Sequence, residues 1–363
     1  MEQQLKQNRK AQTGVWNTNL RTRTHRNKPL LYWFTFTIKR VALQSCHLSS
    51  SKMAERPQKK SKEERVIEYV TKSNFVHNAF ILFKKATDIV AECFPFCTLT
   101  EEQQILKQIL DQMLHSILFS GHIHAKYPAN VIFDHFEILG ATMTDFPKPI
   151  KQYKTHVALR TPFSFLLELV TKCYGQNNES TVKKKLSHIL QCCKKSSDDY
   201  PLISTVICIC EISGSTYYGA SLSCGSDKEQ KIMTAVSCLH VWHPKVSSAV
   251  TSVFPDGSGE PHSVKLPDTV SCRAYAMEDL GNLKPPCKRC NQLYSLPNHT
   301  DNLNTAGNCA ETEAISNLLK AKEDVNDRTT INGGVYDKTE IKQKMEEYIE
   351  NNIVNIDDVY FPN

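Results

Sequence analysis

Leu202 to Ser223 reads LISTVICICEISGSTYYGASLS, and this stretch decides the fold. Its first half, Leu202–Ile212, is dense in β-branched residues, Gly214 offers a turn, and Tyr217–Ser223 reads as the returning strand. A sheet therefore opens here. Downstream, Thr234–Trp242 and Val270–Ala276 read as two further strands, separated by the turn-rich segment Pro255–Pro261. Glu340–Ile349 has the pattern of a surface helix near the end of the chain.

Upstream of the hairpin the apolar spacing is helical throughout. From Ser61 onward Val66, Tyr69, Val70, Phe80, Leu82 and Phe83 supply apolar positions, with Pro95 closing the segment. Thr100 and Gln103 form a capping-box pair ahead of a stripe made by Ile105, Leu106, Ile109, Leu110, Met113, Leu114, Ile117 and Leu118, and Gly121 is the expected stop. Thr161-Pro162 begins a third helix through Phe165, Leu166, Leu169 and Val170, and Thr181–Cys193 forms a fourth. The expected organisation is a disordered basic extension over 1–60, a helical region over 61–195, an α/β unit over 196–330, and a C-terminal helix and tail over 331–363.

The 363 residues carry 44 Lys+Arg against 38 Asp+Glu, a formal charge of +6. Ten of the basic residues and only one acid, Glu2, fall within residues 1–52, which leaves 34 basic against 37 acidic groups in the rest. A slightly acidic body argues against strong unaided binding to a phosphate backbone; the basic extension could supply such contact where it is retained. Met53 would serve as an alternative start. The fourteen cysteines lack the short length and signal peptide of a disulfide-stapled secreted domain, so reduced thiols are expected. The apolar run Pro29–Phe36 is too short to span a bilayer. These features imply a soluble cytoplasmic protein without a membrane partner, or a nuclear or mitochondrial one if the basic extension is a targeting segment.

Chemistry concentrates in PPCKRC, Pro285–Cys290, and GNCAE, Gly307–Glu311. The two-residue gap between Cys287 and Cys290 lets both sulfurs turn toward one ion, and Cys309 at the start of a second helix supplies a third. A zinc ribbon would need a fourth ligand at position 312, which is Thr312. Three ligands are the complement of a catalytic zinc, which keeps a position for water, and Glu311 is the carboxylate beside it.

These motifs resemble the cytidine deaminase superfamily, in which a C-A-E or H-A-E helix and a P-C-x-x-C helix meet at zinc. GNCAE is especially similar to the form carried by toxin-type and nucleic-acid deaminase-like domains. The resemblance covers about residues 196–325, with the two motifs in reversed order. It implies a three-layer α/β/α deaminase-like sandwich behind an all-helical region, with Zn2+ on Cys287, Cys290 and Cys309. It further implies that Glu311 shuttles protons during hydrolysis of a nucleobase's exocyclic amine, in a nucleoside or a nucleic acid.

Other readings stand beside this one. His240, His243 or His299 could close the zinc site as a fourth ligand and make it structural. The chain would then be a non-catalytic interaction protein that meets a protein partner through its helical region. Glu313 reads as a surface acid in a first helical turn. His122 and His124 read as loop or surface residues, and Cys192, Cys193, Cys208, Cys210 and Cys224 as small core residues.

Overall fold

The computed structural model describes residues 61–93, 101–133, 142, 144–196, 199–353 and 356–362. The basic extension, Pro95 and the Thr100 cap lie outside them. The architecture is mixed α/β. Helices α1 (Lys62–Cys93), α2 (Glu101–Ala125), α3 (Ala129–Ile132) and α4 (Pro147–Gln152) come first, then the short strand β1 (His156–Val157) and helices α5 (Pro162–Tyr174) and α6 (Glu179–Cys192). The hairpin follows as β2 (Val206–Ile212) and β3 (Ser215–Ala220), turning at Ser213 and Gly214, both at positive φ.

Next come α7 (Asp227–His240), α8 (Pro244–Val253), β4 (Ser263–Lys265), β5 (Ser271–Ala276), β6 (Asp279–Lys284) and α9 (Lys288–Tyr294). The chain continues through α10 (Ala310–Ala321), α11 (Glu323–Arg328), β7 (Thr330–Asn332), α12 (Lys338–Asn352) and β8 (Asp358–Val359). The main sheet has the order β3-β2-β5-β6, every neighbour antiparallel.

Both faces of the sheet are buried along β2 and β3 and at Ala274 and Tyr275 of β5, as strand alternation requires when helices cover each side, while the edge strand β6 is exposed. Ile207, Ile209, Tyr218 and Tyr275 join the apolar core made by α1, α2, α5 and α6. Cys208, Cys210, Tyr217 and Ala274 point the other way, into a core with Val246, Val250, Ala310, Ala314 and Leu318. One core thus runs from Phe75 to Met277 across position 195, so the helical region and the sheet are packed together there.

Four sequence expectations are corrected. Thr234–Trp242 lies in and just beyond helix α7, whose first turn is capped by Ser226 accepting from the Glu229 N–H. This Ser-x-x-Glu start outweighs the β-branched content of a segment buried from Ile232 to Cys238. Gly121 does not end α2; a Cβ there would lie 2.6 Å from Ile132 Cδ1, so the missing side chain lets α3 pack against the helix. Val66, Tyr69 and Val70 are exposed, because the first turns of α1 project beyond the core that begins at Asn74. His122 and His124 are in the last turn of α2, and His124 pairs with Glu229 at 3.1 Å.

Candidate metal centre

Cys287 and Cys309 are the N-caps of α9 and α10, and Cys290 sits in the first turn of α9. Their sulfurs converge: Cys287 Sγ is 3.6 Å from Cys290 Sγ and 3.4 Å from Cys309 Sγ, and all three lie within 4.8 Å of one another. Two buried thiols and one partly buried thiol in so small a space could together hold a metal ion.

Local chemistry explains the convergence. Pro285 and Pro286 bring an extended chain to the cap, where the Cys290 N–H donates to Cys287 Sγ at 3.4 Å. The segment between α9 and α10 is tied back by the Lys288 N–H donating to the Asn302 carbonyl at 2.8 Å and the Thr300 N–H to the Pro286 carbonyl at 2.9 Å. Asn304 Nδ2 then donates to Cys309 Sγ at 3.4 Å. Tyr294 Oη donates to Thr312 Oγ1 at 3.0 Å, which couples the two helices and engages Thr312 in a structural bond. Below, α10 lies directly on β3. A Cβ on Gly219 would come within 2.2 Å of the Ala314 nitrogen and 2.4 Å of the Ala310 carbonyl oxygen, so only glycine permits this approach.

Charge in the cluster is concentrated on one sulfur. The hydrogen bonds Cys287 shares with Cys290 and Cys309 drive its pKa far down, while those same bonds, with burial added, push Cys290 and Cys309 up. Arg289, which sequence spacing did not single out although it falls between two of the sulfurs, is a buried guanidinium bonded to Gln292 Oε1 at 3.0 Å. Burial lowers its pKa, and the neighbouring sulfurs of Cys287 and Cys309 oppose that shift.

Glu311 occupies the second position of α10, two residues from the Cys309 cap, and is 5% exposed. Burial pushes its pKa up, and the Cys287 charge pushes it further. Glu313 is buried too, which corrects its reading as a surface acid: it accepts from the Ala220 N–H at 2.7 Å and from Ser164 Oγ at 3.1 Å, with Arg160 Nη1 at 3.8 Å. Two residues along a helix turn a side chain through about 200°. Glu313 therefore faces the helical layer, where it borders a small pocket also lined by Arg160, Ser164 and Trp242.

Among the described residues no histidine joins the sulfur group. His240 and His299 are exposed, and His243 caps α8 by accepting from the Lys245 N–H at 3.2 Å. No helix is long and apolar enough to cross a membrane among the described residues. Compared with protein-family models, with curated proteins and with solved structures, the chain matches none.

Proposed function

We propose that this chain is a zinc-dependent, deaminase-like protein that hydrolyses the exocyclic amine of a nucleobase, free or within a nucleic acid. The observation that carries the reading is the meeting of two helix starts from separate motifs at one three-sulfur cluster, with the buried carboxyl of Glu311 in the first turn of the second helix. Tetrahedral zinc with Zn–S bonds near 2.3 Å sets its sulfurs about 3.8 Å apart, close to the 3.4 and 3.6 Å found. Three protein ligands, with no fourth Cys, His, Asp or Glu in the group among the described residues, suit a catalytic rather than a structural ion.

Zinc held by these cysteines would supply a water activated for attack on the ring carbon that bears the amine. Glu311 takes up a proton at its carboxylate and returns it to the departing nitrogen, which leaves as ammonia. The Arg160–Glu313 network and the Gly219 contact hold α10, and so Glu311, against the sheet.

Helices on both faces of a sheet that opens with a hairpin support a three-layer, deaminase-like sandwich. The reversed motif order is compatible with that chemistry, because the site needs two helix starts to converge and sets no rule for their order along the chain.

The test is ammonia release from a panel of nucleosides and oligonucleotides by the full chain, Glu311→Gln and Cys309→Ala. Glu311→Gln should keep its metal and lose about 100-fold or more of the turnover, whereas Cys309→Ala should lose both. Stoichiometric zinc with no turnover on any substrate would overturn the enzyme reading and make the site structural, in a protein that acts by binding a partner.

A further inference from the structure

A second sulfur pair lies in the sheet. Cys210 on β2 and Cys272 on β5 are direct register partners, and their Sγ atoms are 2.8 Å apart. The Met277 N–H donates to the Thr205 carbonyl at 2.9 Å, which makes 205/277 a hydrogen-bonded pair of this ladder. Antiparallel pairs alternate, so 210/272 falls at a non-hydrogen-bonded position, where opposed Cα atoms sit about 4.5 Å apart and side chains approach most closely. That spacing is inside the roughly 4.4–6.8 Å range across which a disulfide closes.

The two thiols differ in access. Cys210 is fully buried and Cys272 is partly exposed. Burial also pushes the Cys210 pKa up, which keeps it a thiol until a partner is activated beside it.

We propose that Cys210 and Cys272 are a redox-responsive pair that peroxide converts to a cross-strand disulfide. Cys272 attacks hydrogen peroxide, is oxidised to the sulfenic acid and releases one water. Cys210 sulfur then attacks the sulfenic sulfur of Cys272; the S–S bond forms, the S–O bond breaks, and the Cys210 proton leaves with hydroxide as a second water. Two thiols and one peroxide thus give one disulfide and two waters. The staple joins β2 to β5 beneath α10 and uses none of the three sulfurs of the metal centre, so the proposal stands apart from the deaminase reading.

The full chain is reduced, exposed to hydrogen peroxide, alkylated, digested with trypsin and mapped by mass spectrometry. Cys272 is the single cysteine of the tryptic peptide Leu266–Arg273. The expected product joins this peptide to the one holding Cys210, two hydrogens lighter than the sum, with fragmentation placing the bond at Cys210. The link should persist in Cys208→Ser and vanish in Cys272→Ser. Recovery of Cys272 as an alkylated thiol, a sulfinic acid or a sulfonic acid without any link would overturn the proposal. A bond placed at Cys208 or Cys224 would do the same.

Discussion

Glu311 and Glu313 are two residues apart in one helical turn, both buried, and their surroundings give them different work. Glu311 faces the sulfur cluster, while Glu313 is held by Ala220, Ser164 and Arg160. Removing the Glu313 carboxylate strands a buried N–H and takes one carboxylate from Arg160, so Glu313→Ala should cost about 2–4 kcal/mol. Chemical denaturation of the two proteins checks this; Glu313→Gln, which keeps an acceptor, should lose less, and an unchanged midpoint in the alanine variant would show the network to be idle. The clustering of the three sulfurs was legible in the sequence because Cys287 and Cys309 are only 22 positions apart, with Cys290 between them, and their spacing is itself a chemical constraint. The burial of Glu313 was not legible, because its partners are 93 and 149 residues away and an acid in a first helical turn has an adequate local explanation in the helix dipole.

At the scale of elements, the seat of α10 on the hairpin governs the site. The backbone contact at Gly219 leaves no room for a methyl group. Gly219→Ala should therefore lift α10 from β3, destabilise the fold by about 1–3 kcal/mol, and weaken metal retention more than a surface substitution of equal stability cost. Equilibrium dialysis alongside thermal melts would separate the two effects; full metal retention in a destabilised variant would contradict the link between seat and site. Tyr294→Phe, which removes only the bond to Thr312, should cost about 1 kcal/mol in the same assay. The hairpin and the α2 and α5 stripes were readable because period and turn chemistry agree there. Helix α7 was misread because Thr234, Val236, Val241 and Trp242 favour a strand locally, while the decisive signal, Ser226 ahead of Glu229, stands eight residues before that run begins at Thr234.

For the whole molecule, the chain end is tied to the helical layer. β8 pairs with β1, the Tyr360 ring stacks on His115 at 3.8 Å between centroids, and the Tyr360 hydroxyl bonds to Asp111. Burial pushes the His115 pKa down to about 3 from an ordinary 6.5. Below pH 6.5 the unfolded chain takes up a proton that the folded chain refuses, so stability falls with pH by about 1.4 kcal/mol per unit from this residue. The loss should run from pH 6.5 downward toward 3, with no contribution above 6.5. Denaturation midpoints between about pH 7 and 5 should slope less steeply in His115→Phe, which keeps an aromatic ring against Tyr360; identical slopes would remove His115 from the account. This packing, like the core that crosses position 195, joins segments too distant for any local sequence pattern to connect. The central claim is that Cys287, Cys290 and Cys309 hold one metal ion. Elemental analysis of the full chain, purified without added chelator beside Cys309→Ala, tests it directly: about one zinc per chain falling to near zero in the variant is the predicted result, and a parent protein free of metal, or a variant that retains its full complement, would contradict it.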